Sequence, residues 1–269
     1  MDTYLSKREA WEMAIPRMAY MSTLRNLRNF DEADIDDQLA STIAARLADP
    51  AEVAKSRQLP FRFYSAYQAA PSLRWGHALD QALQASLANV PTLAGRSLIL
   101  IDTSGSMTGT MSGKSQMNRV TAAALFGLAL ALKNPDSVDV YGFATGEMKV
   151  EDVGHAKSLL RAVEVFVSQV GRVGHGTDIG GAVTRQYRGH DRVFIFTDMQ
   201  SIGYVTGGIA SGVPAHVPVY GFNLVGYEHS AMPVGAGSRH ELGGLTDHTF
   251  RLIPTLEAGQ AGAWPWLVP

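Results

Sequence analysis

Residues 97–107 read Ser-Leu-Ile-Leu-Ile-Asp-Thr-Ser-Gly-Ser-Met, an aliphatic run that passes directly into Asp-x-Ser-x-Ser. An unbroken apolar run of this length is typical of a strand buried on both faces of a helix-covered parallel sheet. The polar residues follow the strand's carboxyl end, where open α/β sheets place their binding sites. Asp102, Ser104 and Ser106 offer three oxygens, which suit a hard cation such as Mg²⁺, Mn²⁺ or Ca²⁺. On these residues alone, a metal site and a turn whose hydroxyls only cap the next helix both remain open.

Strand-like and helix-like segments alternate downstream of this run. Strands are predicted at 97–101, 138–143, 192–197, 217–222 and 248–252, with a short antiparallel edge at 148–150. Helices are predicted at 119–132, 155–170 and 178–187. The alternation predicts an α/β fold with a doubly wound, mostly parallel sheet. Pro218 suggests that its strand lies near the edge of that sheet.

The residues before this sheet read as helical. A helix is predicted over 7–15, and others begin at Pro16, at Asp31, at Pro50 behind a capping Asp49, and behind Ser72. Short breaks separate them, with a pair of helices about every 40 residues, as in helical-repeat arrays. The sequence thus predicts a helical-repeat region over 1–92 and the α/β domain over 93–269.

Composition limits the classes of function. The chain has 269 residues, 46% of them hydrophobic, a formal net charge of -2 and no cysteine. Disulfides, thiolate zinc sites and thiol catalysis are therefore excluded, and a chain-wide surface for polyanions such as DNA is not expected. The absence of a signal core or an apolar run of about 20 residues predicts a soluble, cytoplasmic protein without a membrane segment.

A local basic and polar cluster lies in the helical region. Its members are Arg17, Arg25, Asn26, Arg28 and Asn29. Because residues 1–95 hold ten Lys/Arg against eleven Asp/Glu, a solvated helix face is favoured over a nucleic-acid surface.

Three loops are expected to meet at one edge of the sheet. Besides the Asp102 loop, they are Gly-His-Gly-Thr-Asp at 174–178, which opens a helix, and Thr-Asp at 197–198, which ends a strand. Together they supply Asp102, Ser104, Ser106, Thr177 and Asp198, a set suited to an octahedral oxygen-ligand site completed by water. Two carboxylates formally balance the charge of a divalent ion. If one or both act through water and neutral hydroxyls are direct ligands, the ion can still take an anionic oxygen from a partner's carboxylate or from a phosphate.

Two neighbours of Thr177 are interpreted differently. Asp178 is favoured as the N-terminal residue of a helix rather than a ligand. His175 is interpreted as a loop residue at the rim, because a hard cation does not need imidazole.

The three motifs resemble the metal-ion-dependent adhesion site of von Willebrand factor A domains. They occur in that family's order, each in its expected strand or loop, and the resemblance covers about residues 93–269. It implies a Rossmann-like fold and a divalent metal, Mg²⁺ first, with Mn²⁺ or Ca²⁺ as alternatives, bound by the five residues named above.

The helical region is similar to the TROVE module of Ro autoantigen-like proteins. The similarity lies in residues 15–27, in Leu59-Pro-Phe-Arg-Phe and in Leu79-Asp-Gln-Ala-Leu, and the end of the chain, residues 243–253, also resembles that family. That family implies a ring of helical repeats closed by an A domain. Its members bind structured noncoding RNA on the outside of the ring and single-stranded RNA ends in its hole.

The chain departs from that pattern in the length of its helical region. Only about 90 residues of helices precede the A-type domain, which is too few to close a ring. The RNA-binding surfaces of full-length relatives are thus expected to lie mostly upstream of Met1, and the resemblance assigns no RNA contact to this sequence.

Three functions follow in order of preference. The first is a non-catalytic binding protein of noncoding-RNA metabolism or RNA quality control, whose metal site captures an anionic group. The second is a protein–protein interaction module, in which the metal grips a partner's carboxylate and no RNA is bound. The third is a metal-dependent phosphoesterase with His175 as base. The Ser-Gly-Lys-Ser at 112–115 is set aside as a phosphate loop, because Thr108 stands where its first glycine belongs.

Overall fold

The computed structural model describes residues 5–111, 116–153, 156–200, 210, 212–225, 238–245, 247–260, 262 and 264. It divides into two compact units, Met1–Asn89 and Val90–Pro269. The boundary expected from sequence lies three residues further along the chain. No helix in the described ranges combines the length and the apolar character that crossing a membrane requires.

The first unit is a succession of helices with short connections. They are α1 (Lys7–Ala14), α2 (Tyr20–Arg25), α3 (Leu27–Glu32), α4 (Asp37–Ala48), α5 (Pro50–Ser56), α6 (Pro60–Ala69) and α7 (Leu73–Ala85). Fully buried aromatic side chains form its centre: Phe30, Phe63 and Trp75. The predicted starts behind Asp49 and Ser72 are confirmed, because each side chain accepts a hydrogen bond from a backbone N–H of the first turn.

Two helix starts in this unit were predicted wrongly. The helix expected from Asp31 begins only at Asp37, where the Asp36 carboxylate accepts hydrogen bonds from two first-turn N–H groups. Asp34 has a left-handed φ of 49°, which interrupts the helical path before that cap. Pro16 lies in a short 3₁₀ turn, Ile15–Arg17, rather than opening an α-helix.

The second unit is built on one sheet. Its strands in the described residues are β1 (Ser97–Asp102), β2 (Val138–Phe143), β3 (Glu147–Lys149), β4 (Arg192–Thr197), β5 (Val219–Asn223) and β6 (Arg239–Gly243). Their spatial order is β3-β2-β1-β4-β5-β6, with β3 antiparallel to β2 and the other pairings parallel. The predicted doubly wound α/β sheet and its short antiparallel edge are confirmed.

Helices cover both faces of β1. They belong to a set of four in this unit's described residues: α8 (Arg119–Lys133), α9 (Leu159–Val167), α10 (Ile179–Gln186) and α11 (Asp247–Gln260). Gly127 of α8 packs directly on the Ile99 and Ile101 side chains. On the other face, Leu98 and Leu100 join a core that includes Ile179 and Val183 of α10. Both faces of β1 are dry, which explains its continuous aliphatic sequence.

The end of the sheet differs from the prediction. The segment expected to form a strand at 248–252 lies in α11, and the last strand is β6. Phe250 and Ile253, three residues apart, are both buried on one side of α11, and Phe250 stacks on Phe126 of α8 at 4.7 Å between ring centroids. Pro218 precedes the first residue of β5, which is one strand in from the edge. The helix predicted from His155 begins at Leu159, and His155 itself lies outside the described residues.

Candidate functional site

The candidate site lies at the point in the sheet where the strand order reverses. From β1 the order runs to β2 on one side and to β4 on the other. Ile101 pairs with Phe196 in parallel register, so the next residues, Asp102 and Thr197, end their strands side by side. Such a switch point leaves a crevice at the carboxyl edge, which is where ligands of open α/β sheets bind.

The loop after β1 brings the side chains of Asp102, Ser104 and Ser106 close together. Asp102 is fully buried, and its Oδ1 accepts a hydrogen bond of 2.8 Å from the Ser104 N–H. The hydroxyl oxygens of Ser104 and Ser106 are 3.2 Å apart and share a hydrogen bond. Arg119, the first residue of α8, donates to the Ser106 carbonyl at 2.8 Å and holds the loop against that helix. Three of the five predicted ligands are thus assembled by local structure.

The strand end of β4 supplies the second carboxylate. Thr197 donates its hydroxyl to Asp102 Oδ2 at 2.6 Å. Asp198 is fully buried, and its Oδ1 accepts a hydrogen bond of 3.2 Å from the Gln200 N–H. Its Oδ2 is buried and has no hydrogen-bond partner among the residues that the structure describes. A buried carboxylate oxygen without a hydrogen-bond partner destabilises the folded state unless a cation binds it.

The Gly-His-Gly-Thr-Asp loop is fastened to the first loop through its backbone. Gly105 donates to the His175 carbonyl at 3.0 Å, and Thr177, two residues on, is buried. Gly174 has a φ of 94°, and a Cβ there would lie 2.8 Å from the Thr145 hydroxyl oxygen. Because only glycine fits this approach, the loop depends on that residue.

Asp178 and His175, the two neighbours of Thr177, differ in their surroundings. Asp178 caps α10 by accepting from the Gly181 N–H and forms a 2.9 Å ion pair with Arg185. Its role as a helix N-terminal residue is therefore confirmed. The His175 side chain is exposed.

Burial and hydrogen bonding shift the pKa of Asp102 in opposite directions. Desolvation is the largest influence and, with the nearby Asp198 carboxylate, raises the pKa of Asp102 to about 6. The hydrogen bonds from Thr197 and Ser104 oppose that rise in pKa but do not cancel it. Two buried carboxylates that repel each other are the charge pattern that a divalent cation relieves.

The donor set fits a hard cation. Within the described part of the chain there is no group of three or more His, Asp or Glu side chains that could hold a metal. A site here would consist of two carboxylates and three hydroxyls, which are oxygen donors suited to Mg²⁺ or Mn²⁺ rather than to zinc.

Two residues that position this site, Thr197 and Arg119, were not predicted from the sequence. Thr197 was read only as the neighbour of Asp198, although a hydroxyl at the end of a buried apolar strand needs a partner. The partner of Arg119 could not be found from sequence, because it is a backbone carbonyl 13 residues away. The Ser-Gly-Lys-Ser stretch at 112–115 lies outside the described residues.

The helical unit contains a second feature, which we call the arginine groove. It is a cavity of about 290 Å³ with Arg25, Arg28 and Asn29 on the α2–α3 side and Arg62 on α6. None of its described lining residues is acidic. Arg28 also forms an exposed 3.4 Å ion pair with Glu32. The cluster interpreted from sequence as a solvated helix face therefore borders a cationic groove, and Arg17 and Asn26 are not part of its lining.

Comparison with known proteins gives a sequence match in the helical unit and a structural match over both units. Residues 1–75 match the model of the TROVE domain family. No curated protein matches the sequence. Among solved structures, the crystal structure of the Deinococcus radiodurans Ro (RSR) protein matches with a TM-score of 0.74 at 20% sequence identity. The match covers 98% of this chain and 57% of the Ro chain.

The structural match shows a similar fold over nearly the whole chain, which here is a helical region followed by a doubly wound α/β domain. The chain spans 57% of the length of the Ro structure that it matches. Residues 1–75 thus carry a TROVE-like sequence, and the fold of the chain is similar to that of the Ro protein.

Proposed function

We propose that the chain is a non-catalytic binding protein of the Ro type that holds a divalent cation, Mg²⁺ first, and uses it to capture an anionic group. The ligands would be Asp102, Ser104, Ser106, Thr177 and Asp198. The observation that carries the proposal is the buried Asp198 Oδ2, which lacks a partner among the described residues and adjoins a second buried carboxylate.

The chain's own residues prepare the site. Thr197 and the Ser104 N–H each hold one oxygen of Asp102, so the carboxylate is oriented before any ion arrives. Arg119 fixes the carbonyl of Ser106. Such supporting hydrogen bonds raise metal affinity because the ligand does not have to reorganise. The ion would supply an electrophilic centre, because the three hydroxyls among its ligands carry no negative charge.

RNA is the partner that the helical unit favours. The TROVE match lies in that unit, and the arginine groove gathers three guanidinium groups without a carboxylate in its described lining. Guanidinium groups bind phosphate through paired hydrogen bonds. Phosphate would also satisfy the metal site, so one kind of ligand could serve both units.

The test is a titration of the full chain with a structured stem-loop RNA and with a single-stranded RNA at several salt concentrations. Arg25→Ala and Arg62→Ala should each weaken binding of every RNA and lower the magnitude of the salt slope by about one. Arg8→Ala is the matched control, because Arg8 is a half-exposed arginine of the same unit outside the groove. Equal losses in all three variants, or an affinity no better than for heparin, would contradict RNA recognition.

The same titration separates the other functions. If RNA fails to bind while a carboxylate-bearing protein is captured in a Mg²⁺-dependent way, the chain is a protein-interaction module. If RNA is hydrolysed with Mg²⁺ and Asp198→Ala abolishes the turnover, it is a phosphoesterase. The proposal expects neither result.

A further inference from the structure

A second groove lies in the α/β unit, and its residues do not overlap with the metal ligands. It runs between the segment that follows β3 and one side of α9, and its volume is about 510 Å³. We call it the α9 groove. Its volume is in the range of sites that hold small molecules or a few side chains of a peptide.

The floor of the α9 groove is apolar. Val153 from the segment after β3 and Phe166 from α9 are buried beneath it. Val165 also lines the groove and is 40% exposed, which is unusual for a large aliphatic side chain. Ala162 and Val165 are three positions apart, so they lie on one side of α9. This helix therefore presents an apolar stripe that no described residue covers completely.

The rim of the α9 groove is mainly cationic. Lys149, Lys157, Arg161 and Arg172 line it, against Glu151 and Asp152. Lys149 is paired with Glu151 at 3.5 Å, and Arg161 with Glu164 at 3.3 Å. Lys157 and Arg172 are exposed and form no ion pair with any residue that the structure describes. Two cations are thus available beside an apolar floor.

We propose that the α9 groove binds an acidic segment of a protein partner, with a leucine- or phenylalanine-like side chain on the Val165 floor and carboxylates at Lys157 and Arg172. The charge of the rim selects for acidic residues, and burying the exposed aliphatic surface under a partner's side chain favours binding. RNA fits less well, because the groove offers its bases no aromatic surface for stacking. The ring of Phe166 is 2% exposed and offers no stacking surface.

The experiment is a selection of phage-displayed random dodecapeptides on the full chain, followed by fluorescence-polarisation titration of the enriched peptides. We expect enriched sequences that combine carboxylates with leucine or phenylalanine. Binding should fall at least tenfold in Val165→Asp and in the double variant Lys157→Glu/Arg172→Glu. Both variants change exposed side chains, and circular dichroism checks that they stay folded.

Arg188→Glu is the matched control. It reverses an exposed charge of the same unit away from the groove and should leave peptide binding unchanged. The proposal is overturned if no acidic sequences are enriched, or if the enriched peptides bind both groove variants as well as the wild type. Displacement of the peptide by a ten-nucleotide oligouridylate that itself binds more tightly would show a nucleic-acid groove instead. None of these outcomes depends on the metal site.

Discussion

At the scale of single residues, the site is defined by how Asp102 is held. Both carboxylate oxygens accept hydrogen bonds from residues of the chain, one from the loop that follows β1 and one from the end of β4. The orientation of the carboxylate is therefore a property of the protein alone.

Thr197→Val tests that orientation. The substitution keeps the shape of the side chain and removes the 2.6 Å hydrogen bond to Asp102. We expect the affinity for Mn²⁺ to fall about tenfold, as for other residues that support metal ligands. Thr42→Val, whose hydroxyl only bonds to the α4 backbone, is the control and should bind as the wild type does. Unchanged affinity in Thr197→Val would show that Asp102 needs no such support.

The ligand types could be predicted from sequence, but this hydrogen bond could not. Asp102, Ser104 and Ser106 lie within one turn, so their proximity follows from spacing alone. The contact between Thr197 and Asp102 joins residues 95 positions apart. It exists because β1 and β4 pair in one register, and a shift of register would point the hydroxyl elsewhere.

Asp139 gives a pH-dependent prediction. Burial raises its pKa, but hydrogen bonds from His190 and Arg96 outweigh burial, and the net pKa is lowered. A carboxylate with a lowered folded-state pKa stabilises the fold fully above its unfolded pKa of about 3.9, and that contribution is lost as the pH falls through the folded value. The stability difference between the wild type and Asp139→Asn should thus be constant near neutral pH and shrink below about pH 4.

Urea titrations at a series of pH values from neutral to strongly acidic measure that difference. A gap in midpoint that stays constant throughout the acid range would contradict the role given to Asp139.

At the scale of elements, packing of α8 on β1 positions the loop that follows β1. A Cβ at Gly127 would lie 2.7 Å from Ile101 Cδ1, so the helix approaches the strand more closely than alanine permits. Gly127→Ala should destabilise the protein by about 1–3 kcal/mol through overpacking.

Gly76→Ala is the matched substitution in α7. A Cβ there meets no atom within 4 Å. It should stabilise the protein by up to about 1 kcal/mol, because alanine favours a helix more than glycine does. Opposite shifts of the urea midpoint are the expected result. Shifts of the same sign would show that space around the glycine does not decide the effect.

The elements themselves were predictable where one periodicity dominates. The buried strands β1 and β4 and the apolar helix α8 follow directly from their aliphatic sequences. In α11, Phe250 and Leu252 alternate as in a strand, whereas Phe250 and Ile253 lie on one side of a helix. Stacking of Phe250 on Phe126 decides for the helix, and that contact depends on residues more than 100 positions apart.

At the scale of the whole molecule, the order of a helical unit and an α/β unit was predictable from the change in periodicity near residue 95. The net charge of -2 gives no hint of a polyanion partner. Arg25 and Arg28 already form a basic cluster in the sequence, but only the fold brings Arg62 to the same groove. Charge distribution in space therefore carries information that a charge count does not.

The central claim is that the α/β unit holds a divalent cation at the end of β1. Isothermal titration of the full chain with MnCl₂ and with MgCl₂ tests it most directly. We expect one cation-binding site in the wild type and in Asp136→Ala, which removes an exposed carboxylate elsewhere in the unit. Asp102→Ala and Asp198→Asn should show no binding while keeping the circular dichroism of the wild type. A wild type that binds no ion, or folded variants that bind it unchanged, would contradict the account.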